Sequence, residues 1–399
     1  MNQSPIQKER LSPYMWLLLS FCFMASLNVI NRYFYFIFIA FFIFALFPGR
    51  RLVATPALIP LFVLGIAWAI FAPAATDSIF GPLKPFTYML CFIMGFGLAH
   101  DARKNEEGIP SEKLFFRIAA TLAAGTLAHY LLNWLKNGNS ADRNTMDFWT
   151  GTTMAATGQA AMACLPLALA IACLFSPVSK KLKLTAIAVL TVVLGYNLVL
   201  SGRTIFLLSA IAIAVAFCHR TLRRKRGRIL SIALFFAVIA ALILAYGVNL
   251  FGIRSLIEAS PFYDRFFGEH SMELTTDGRL DKKLFFLQNF GQSILGGAHL
   301  RDLKGYAHDL FLDTYDEAGI LALLAVVAYI LSSIRRMIRC VFDNRLSFIF
   351  RQVVLCAYVV LYAEFMVEPI LQGMPWLFAS FCLLDGYVAR VLNSKTPSK

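Results

Sequence analysis

The chain has 399 residues, of which 59% are apolar and 14% aromatic but only 15% charged, and its mean hydropathy is +0.67. A water-soluble protein of this length exposes far more polar surface, so the composition excludes that class and indicates an integral membrane protein. The apolar stretches are long enough to cross a bilayer as helices and lack the alternation that porin strands need.

Twelve apolar stretches predict twelve transmembrane helices. In chain order they cover about 14–30, 33–48, 57–74, 85–100, 114–134, 153–176, 183–200, 204–218, 229–250, 309–334, 352–371 and 375–393. We therefore expect an all-α, polytopic membrane protein in three parts. Residues 1–250 hold about nine spans, 251–308 form one large outer loop domain, and 309–399 hold about three spans.

The orientation follows from lysine and arginine, which collect in the loops that face the cytoplasm if both chain ends are inside. These loops include the run "HRTLRRKRGR" at 219–228, which the reverse topology would place outside. The net charge of +14 therefore mainly reflects topology, and we expect this run to contact anionic lipid rather than nucleic acid. All eight cysteines lie in predicted spans or on the cytoplasmic side, so we expect no disulfide.

The outer segment 251–308 is the longest loop, and its phenylalanines and leucines argue against disorder. Leucines at 280, 284 and 287 follow helical spacing, and Thr276 or Asp277 is placed to cap that helix. We expect two or three short amphipathic helices here, lying against the outer face of the membrane.

Three residues stand out as candidates for chemistry near the outer face. Arg203, in "NLVLSGRTIFLLSA", either snorkels to the interface or points into the bundle as an anion clamp. Arg279, in "TTDGRLDKK", is either a surface charge or a second phosphate-binding group. His308 opens the tenth predicted span, and its neutral imidazole can accept a proton near neutral pH.

If the tenth span begins near residue 308, His308 shares a helix face with Gly319. The acids that follow His308 lie mainly on another face of that helix. They are Asp309, Asp313, Asp316 and Glu317. Acids suit the positive end of a helix, and the simplest interpretation is that they solvate it. His129, in the fifth span, is interpreted as a buried histidine with a satisfied partner rather than as a ligand.

Several enzyme classes lack their motifs in this chain. HExxH, D-x-D and G-x-S-x-G sequences are all missing, so we expect no metal site, no cofactor and no serine hydrolase triad. Two arginines and a histidine at one membrane face suit a lipid-linked diphosphate instead, because arginine presents fixed donors that match phosphate oxygens.

Three segments carry a family resemblance in their order. "SGRTIFLL", then "DGRLDKKLFFLQN" with "ILGGAH", then "AHDLFLDTYDEAGILA" resemble the O-antigen ligase and polymerase superfamily of bacterial envelopes. In that superfamily a span-end arginine, a "GRL" arginine in a large periplasmic loop and a histidine element ending in glycine recur. Here the last is His308, Asp309, nine residues and Gly319.

The resemblance implies an O-antigen ligase, an inverting, metal-independent glycosyltransferase on the periplasmic face of the bacterial inner membrane. Its donor would be O-antigen on undecaprenyl diphosphate, and its acceptor the lipid A–core. Arg203 and Arg279 would hold the diphosphate, and His308 would accept the proton of the attacking hydroxyl. Further candidate substrate-binding residues are Arg265, Tyr306 and Asp309, although Asp309 has the alternative of capping the helix.

Two other functions stay open. One is an O-antigen polymerase acting on lipid-linked repeats, which the single large outer loop disfavours. The other, from a different class, is a transporter of lipid-linked sugar, which the nearly charge-free membrane interior disfavours. Glu364 and Glu368 are candidates to pair with Arg203 or Arg279 near the outer face. The sugars, the bond formed and the oligomeric state are not predicted.

Overall fold

The computed structural model describes most of the chain. The described residues are 13–27, 29, 55–72, 81–104, 111–138, 144–200, 202–223, 237, 244–258, 263 and 278–393. The predicted span 33–48, most of the predicted span 229–250 and the candidate Arg265 lie outside these residues.

Seven helices precede residue 224 in the described chain. They are α1 (Pro13–Leu27), α2 (Leu58–Phe71), α3 (Lys84–Lys104), α4 (Ser111–Asn137), α5 (Ala156–Leu174), α6 (Lys180–Val199) and α7 (Arg203–Arg223). Between α4 and α5, strands β1 (Asn144–Met146) and β2 (Thr153–Ala155) form a small antiparallel hairpin. The sixth predicted span therefore begins three residues late, because its first residues pair as a strand.

The rest of the described chain contains short helices and then long ones. They are α8 (Ile253–Glu258), α9 (Arg279–Gln288), α10 (His299–Lys304), α11 (Leu310–Phe342), α12 (Phe348–Phe365), α13 (Ile370–Gly373) and α14 (Pro375–Asn393). Helices α8, α9 and α10 lie in the predicted outer loop, and α9 confirms the helix predicted from the leucine spacing. Its leucines 280, 284 and 287 are exposed.

Seven of the described helices are long and apolar enough to cross a membrane. These helices are α4, α5, α6, α7, α11, α12 and α14. Three shorter apolar helices, within α1, α2 and α3, accompany them. The prediction of an all-α membrane protein is confirmed at this level, and the count of twelve spans stays a prediction.

Helix α5 lies at the centre of the bundle, with nearly all of its residues buried. It packs against α4, α6, α7 and α12, while α11 packs on α2. A close crossing joins α3 to α14, where a Cβ on Gly386 would lie 2.0 Å from the carbonyl oxygen of Phe92. Small residues let helix backbones approach this closely, as they do in membrane bundles generally.

Candidate functional site

Helix α9 brings two cations to the end of α12. Arg279 donates from one terminal nitrogen to the backbone oxygen of Val367 at 2.9 Å. Lys283, one turn later, donates to the backbone oxygen of Met366 at 2.7 Å. Carbonyls at a helix C-terminus carry partial negative charge, which favours cations there. This contact docks the loop helix onto the membrane bundle.

The start of α9 corrects one expectation. Its N-cap is Gly278, whose φ of 63° is left-handed and which has no side chain to cap the helix. The predicted caps, Thr276 and Asp277, lie outside the described residues and do not occupy the cap position. The contacts of Arg279 with the end of α12 hold the beginning of this helix instead.

One carboxylate, that of Glu368, faces both Arg279 and His308. Its Oε1 accepts a hydrogen bond from Arg279 at 3.0 Å, and its Oε2 lies 3.7 Å from His308 Nδ1. The pairing of Glu368 with Arg279, considered from the sequence, is therefore confirmed. Glu368 is 2% exposed, whereas the arginine and histidine side chains are 29% and 24% exposed. The acid lies behind an arginine and a histidine that are both partly exposed.

The position of Glu368 also distinguishes the two ring nitrogens of His308. Nδ1 is buried and directed towards the carboxylate, at a distance longer than a hydrogen bond. A carboxylate on this side favours the tautomer with the proton on Nδ1, which leaves Nε2 as the acceptor. Nε2 is thereby available to accept a hydrogen bond.

His308 does not belong to a helix, contrary to the face predicted for it. Helix α11 begins at Leu310, and His308 has a φ of 56°. A left-handed conformation is costly for a residue with a Cβ and persists only where its surroundings enforce it. The ring of His308 is therefore aimed by a loop conformation and not by helix periodicity.

Asp313 supplies the constraint on His308. Its Oδ1 accepts the N–H of Ala307 at 2.7 Å, and its Oδ2 accepts the N–H of Asp309 at 2.9 Å. One buried carboxylate thus holds the residues on both sides of the histidine. The backbone oxygen of Asp313 in turn accepts a hydrogen bond from Gln372 at 3.1 Å, which ties this turn to α13. Sequence reasoning missed this role.

Asp309 is the N-cap of α11. Its Oδ1 accepts the N–H groups of Phe311 at 3.0 Å and Leu312 at 3.3 Å, and its Oδ2 accepts from Lys283 at 3.1 Å. The capping alternative for Asp309 is thereby confirmed. Because Lys283 also binds the end of α12, this acid connects the loop helix, the histidine turn and the bundle.

The interpretation of the following acids as a solvated helix end is wrong. Asp313, Asp316 and Glu317 are all buried. Asp316 accepts three hydrogen bonds, from the hydroxyl of Ser293 and from two backbone N–H groups at the start of α10. Buried carboxylates need such partners, and here they hold the outer loop against α11. Four acids in ten positions, more than one helix end requires, were the available signal.

Gly319 has a conformational role. It interrupts α11 with a φ of 81°, and a Cβ there would lie 2.6 Å from the backbone oxygen of Ile294. The interruption frees the carbonyl of Asp316, which accepts the N–H of Ala298 at 2.8 Å, and the N–H of Ile320 donates to Ile294 at 2.9 Å. The outer loop is hydrogen-bonded into this break in the helix.

Tyr306 lies beneath Arg301, whose guanidinium carbon is 5.5 Å from the ring centre. Arg301 also donates to Glu317 at 2.5 Å. Burial lowers the pKa of Arg301, but its interactions with Glu317, Tyr306 and Asp302 together outweigh burial and raise the pKa overall. Burial also raises the pKa of Tyr306. The ring of Tyr306 thus packs against an arginine whose charge is balanced by Glu317.

Arg203 is half-buried at the first turn of α7. His219 of this helix contacts Gln352 of α12, and Arg203 lies about 24 Å along α7 from that contact. In α12, Glu364 follows Gln352 by about 18 Å, whereas in α7 Arg203 precedes His219, so the two helices run in opposite directions away from this contact. Arg203 and Glu364 therefore lie at the same end of the bundle as Glu368, although no described contact joins Arg203 to Arg279 or His308.

Glu364 is fully buried one turn before Glu368, and neither of its carboxylate oxygens has a hydrogen-bond partner in the described structure. Its predicted pairing with an arginine is not observed among the described contacts. His129, by contrast, is buried and donates from Nε2 to Asp147 at 2.6 Å, which confirms its interpretation as a satisfied histidine.

No family model matches this chain, and no curated protein matches it either. Only the residues themselves therefore indicate a function. Of the three predicted catalytic residues, the structure brings Arg279 and His308 together on Glu368 and places Arg203 at the same end of the bundle.

Proposed function

We propose that this protein is an O-antigen ligase. It transfers O-antigen polysaccharide from undecaprenyl diphosphate to the lipid A–core, with inversion at the anomeric carbon and without a metal ion. The proposal rests on the resemblance of the motifs around Arg203, Arg279 and His308. It gains support from the shared carboxylate of Glu368, which joins two of these motifs that are distant in sequence.

The observation that carries the proposal is the pairing of a fixed cation with a poised base. Arg279 uses one bond to Val367 and one to Glu368, so its other N–H groups are left for a phosphate. His308 keeps Nε2 for an acceptor hydroxyl. A diphosphate leaving group and a sugar nucleophile need these two functions, because charge develops on one and a proton leaves the other.

The reaction divides between these groups. His308 Nε2 takes the proton of the attacking sugar hydroxyl, whose oxygen forms a bond to the anomeric carbon. The bond from that carbon to the diphosphate oxygen breaks on the opposite face, and the electron pair leaves with the diphosphate. Arg279 and Arg203 stabilise the charge on that leaving group. Glu368 stabilises the protonated histidine.

We further propose a cellular arrangement from the charge distribution of the loops. The protein lies in a bacterial inner membrane with twelve spans and both ends in the cytoplasm. The segment 251–308 is periplasmic. Arg279, Tyr306 and His308 lie on the periplasmic side, next to the membrane surface. The substrates are then both lipid-anchored and reach the site from the outer leaflet.

The test uses the full chain, purified in detergent with EDTA and supplied with lipid-linked O-antigen and lipid A–core. We expect the wild-type protein to produce glycan-bearing lipid A–core, visible as a mobility shift on a gel. His308→Ala should lose about 10²- to 10⁴-fold in rate, as is usual for a positioned base. Arg203→Ala and Arg279→Ala should each lose about 10²-fold or more.

Two matched controls use exposed residues of the same types. His299→Ala removes an exposed histidine of α10, and Arg254→Ala removes an exposed arginine paired with Glu258. Both should retain the wild-type rate. Elongation of the glycan on its own lipid would instead indicate the polymerase. Full activity of folded His308→Ala would overturn the proposed site.

A further inference from the structure

Two arginines converge at the other end of the bundle. Arg223, in the last turn of α7, and Arg351, in the first turn of α12, both donate to the side-chain oxygen of Asn344. Arg223 also donates to the backbone oxygen of Val341 at 2.7 Å. Two guanidinium groups that share one neutral acceptor are held close together, and each raises the free energy of the other's charge.

No carboxylate lies within ion-pair distance of either arginine among the described residues, although Asp343 and Glu112 act on Arg351 from further away. The ion pairs of the described chain include neither Arg223 nor Arg351. The nearest acids have other partners, since Asp343 pairs with Arg345 at 2.8 Å and Glu112 accepts the N–H of Ser347 at 3.0 Å. Arg351 is only 8% exposed, and its Nε has no hydrogen-bond partner among the residues that the structure describes.

The surroundings add further positive potential. Arg351 lies in the first turn of α12, an 18-residue helix whose N-terminus carries partial positive charge. The chain continues after Arg223 as "RKRGR" in the sequence. A buried cation usually has a counter-charge, and a partly exposed cationic pair without one is a site for an anion. Asn344, which is exposed, marks where an anionic oxygen can reach both groups.

The location indicates the kind of anion. Helix α11 starts beside His308 and, over 33 residues, ends at Phe342, whose ring lies 5.9 Å from the guanidinium of Arg223. Beyond the break at Gly319, residues 320–342 span about 35 Å, more than the apolar thickness of a bilayer. The arginine pair therefore lies near the membrane surface opposite His308, where phospholipid phosphates are the abundant anions.

We propose that Arg223 and Arg351 form a phosphate-binding site for the headgroup of an anionic phospholipid, with the phosphate displacing Asn344 as their shared acceptor. The site is separate from the proposed catalytic residues and does not depend on their function. Bidentate guanidinium donors suit phosphate oxygens. The bound lipid would connect α7 to the turn between α11 and α12.

Native mass spectrometry of the full-length protein in a neutral detergent tests this site, with phosphatidylglycerol and phosphatidylcholine as probes. We expect phosphatidylglycerol to bind the wild-type protein in preference to phosphatidylcholine. Arg223→Gln and Arg351→Gln should each weaken its binding about tenfold or more. Arg345→Gln is the matched control, because Arg345 lies in the same turn but already pairs with Asp343.

A fourth variant covers the case in which the buried arginine variant does not fold. Asn344→Asp places a carboxylate between the two arginines, so it should raise the melting temperature and remove the phosphatidylglycerol binding. Inorganic phosphate is the competitor that distinguishes a site for phosphate alone from a site for the whole lipid. Displacement of the lipid by millimolar phosphate shows recognition of the phosphate alone, and its retention shows that the whole lipid is bound. Equal lipid binding by wild type, Arg223→Gln and Asn344→Asp would overturn the proposal.

Discussion

Replacing Asp313 with asparagine removes one of the two acceptors that hold the residues around His308. The amide oxygen can still accept one N–H, from Ala307 or from Asp309, but the amide nitrogen faces the other N–H as a second donor. The substitution leaves the size of the side chain almost unchanged. It therefore tests the hydrogen bonds rather than the packing.

The magnitude follows from two competing free energies. A hydrogen bond to a charged acceptor contributes about 1.5–3 kcal/mol, and a non-glycine residue in a left-handed conformation costs about 1–3 kcal/mol. Loss of one bond is thus enough to make the left-handed form of His308 a minor state. Because each 1.36 kcal/mol is tenfold in rate, we expect kcat to fall by about 10- to 150-fold. KM for the lipid-linked glycan should stay near the wild-type value, because Arg279 keeps its contacts.

The assay is the glycan transfer described above, run at several concentrations of the lipid-linked glycan to separate kcat from KM. Asp316→Asn is the matched control. Asp316 also lies in α11 and is a buried acceptor of backbone N–H groups, but those groups are at the start of α10 and not beside His308. We expect it to lower the melting temperature with a smaller loss of kcat. If folded Asp313→Asn kept kcat within about twofold of wild type, Asp313 would not position His308.

Three further substitutions test the arrangement. Gly319→Ala puts a Cβ 2.6 Å from the backbone oxygen of Ile294 in a left-handed conformation, so it should lower the free energy of unfolding by about 1–3 kcal/mol or more in thermal unfolding. Glu368→Gln weakens the contacts to the arginine and histidine that share it, and kcat/KM in the transfer assay should fall about tenfold or more. Burial raises the pKa of Asp147, but hydrogen bonds, first from His129, outweigh burial and lower the pKa overall. Its stabilising contribution is therefore present above pH about 4 and lost as the pH falls below it, and Asp147→Asn should flatten the dependence of the melting temperature on pH in that range.

Each of these expectations has an outcome that contradicts it. An unchanged melting temperature for Gly319→Ala would show that the break in α11 is not required for the stability of the protein. Wild-type kcat/KM in Glu368→Gln would mean that the shared carboxylate does not support the site. If Asp147→Asn and wild type lost stability in parallel below pH about 4, other acids would control that transition.

Local properties of the sequence determined the class of the protein. Apolar length predicts membrane helices because hydration of long apolar stretches is unfavourable wherever they lie in the chain. The same reasoning found α9, since the spacing of its leucines is a property of about two turns. Resemblance to known motifs made Arg279 and His308 candidates for the site, and their catalytic roles stay a prediction.

Tertiary structure alone decided which groups these residues contact. Glu368 lies far from Arg279 and His308 in the sequence, and no local pattern specifies which acid faces which cation. The acids after His308 have the composition of a solvated helix end, yet the packing of the outer loop buries them. Asp313 then accepts hydrogen bonds from the backbone on both sides of His308. Helix periodicity gave the wrong face for His308, because those hydrogen bonds hold its backbone left-handed outside the helix.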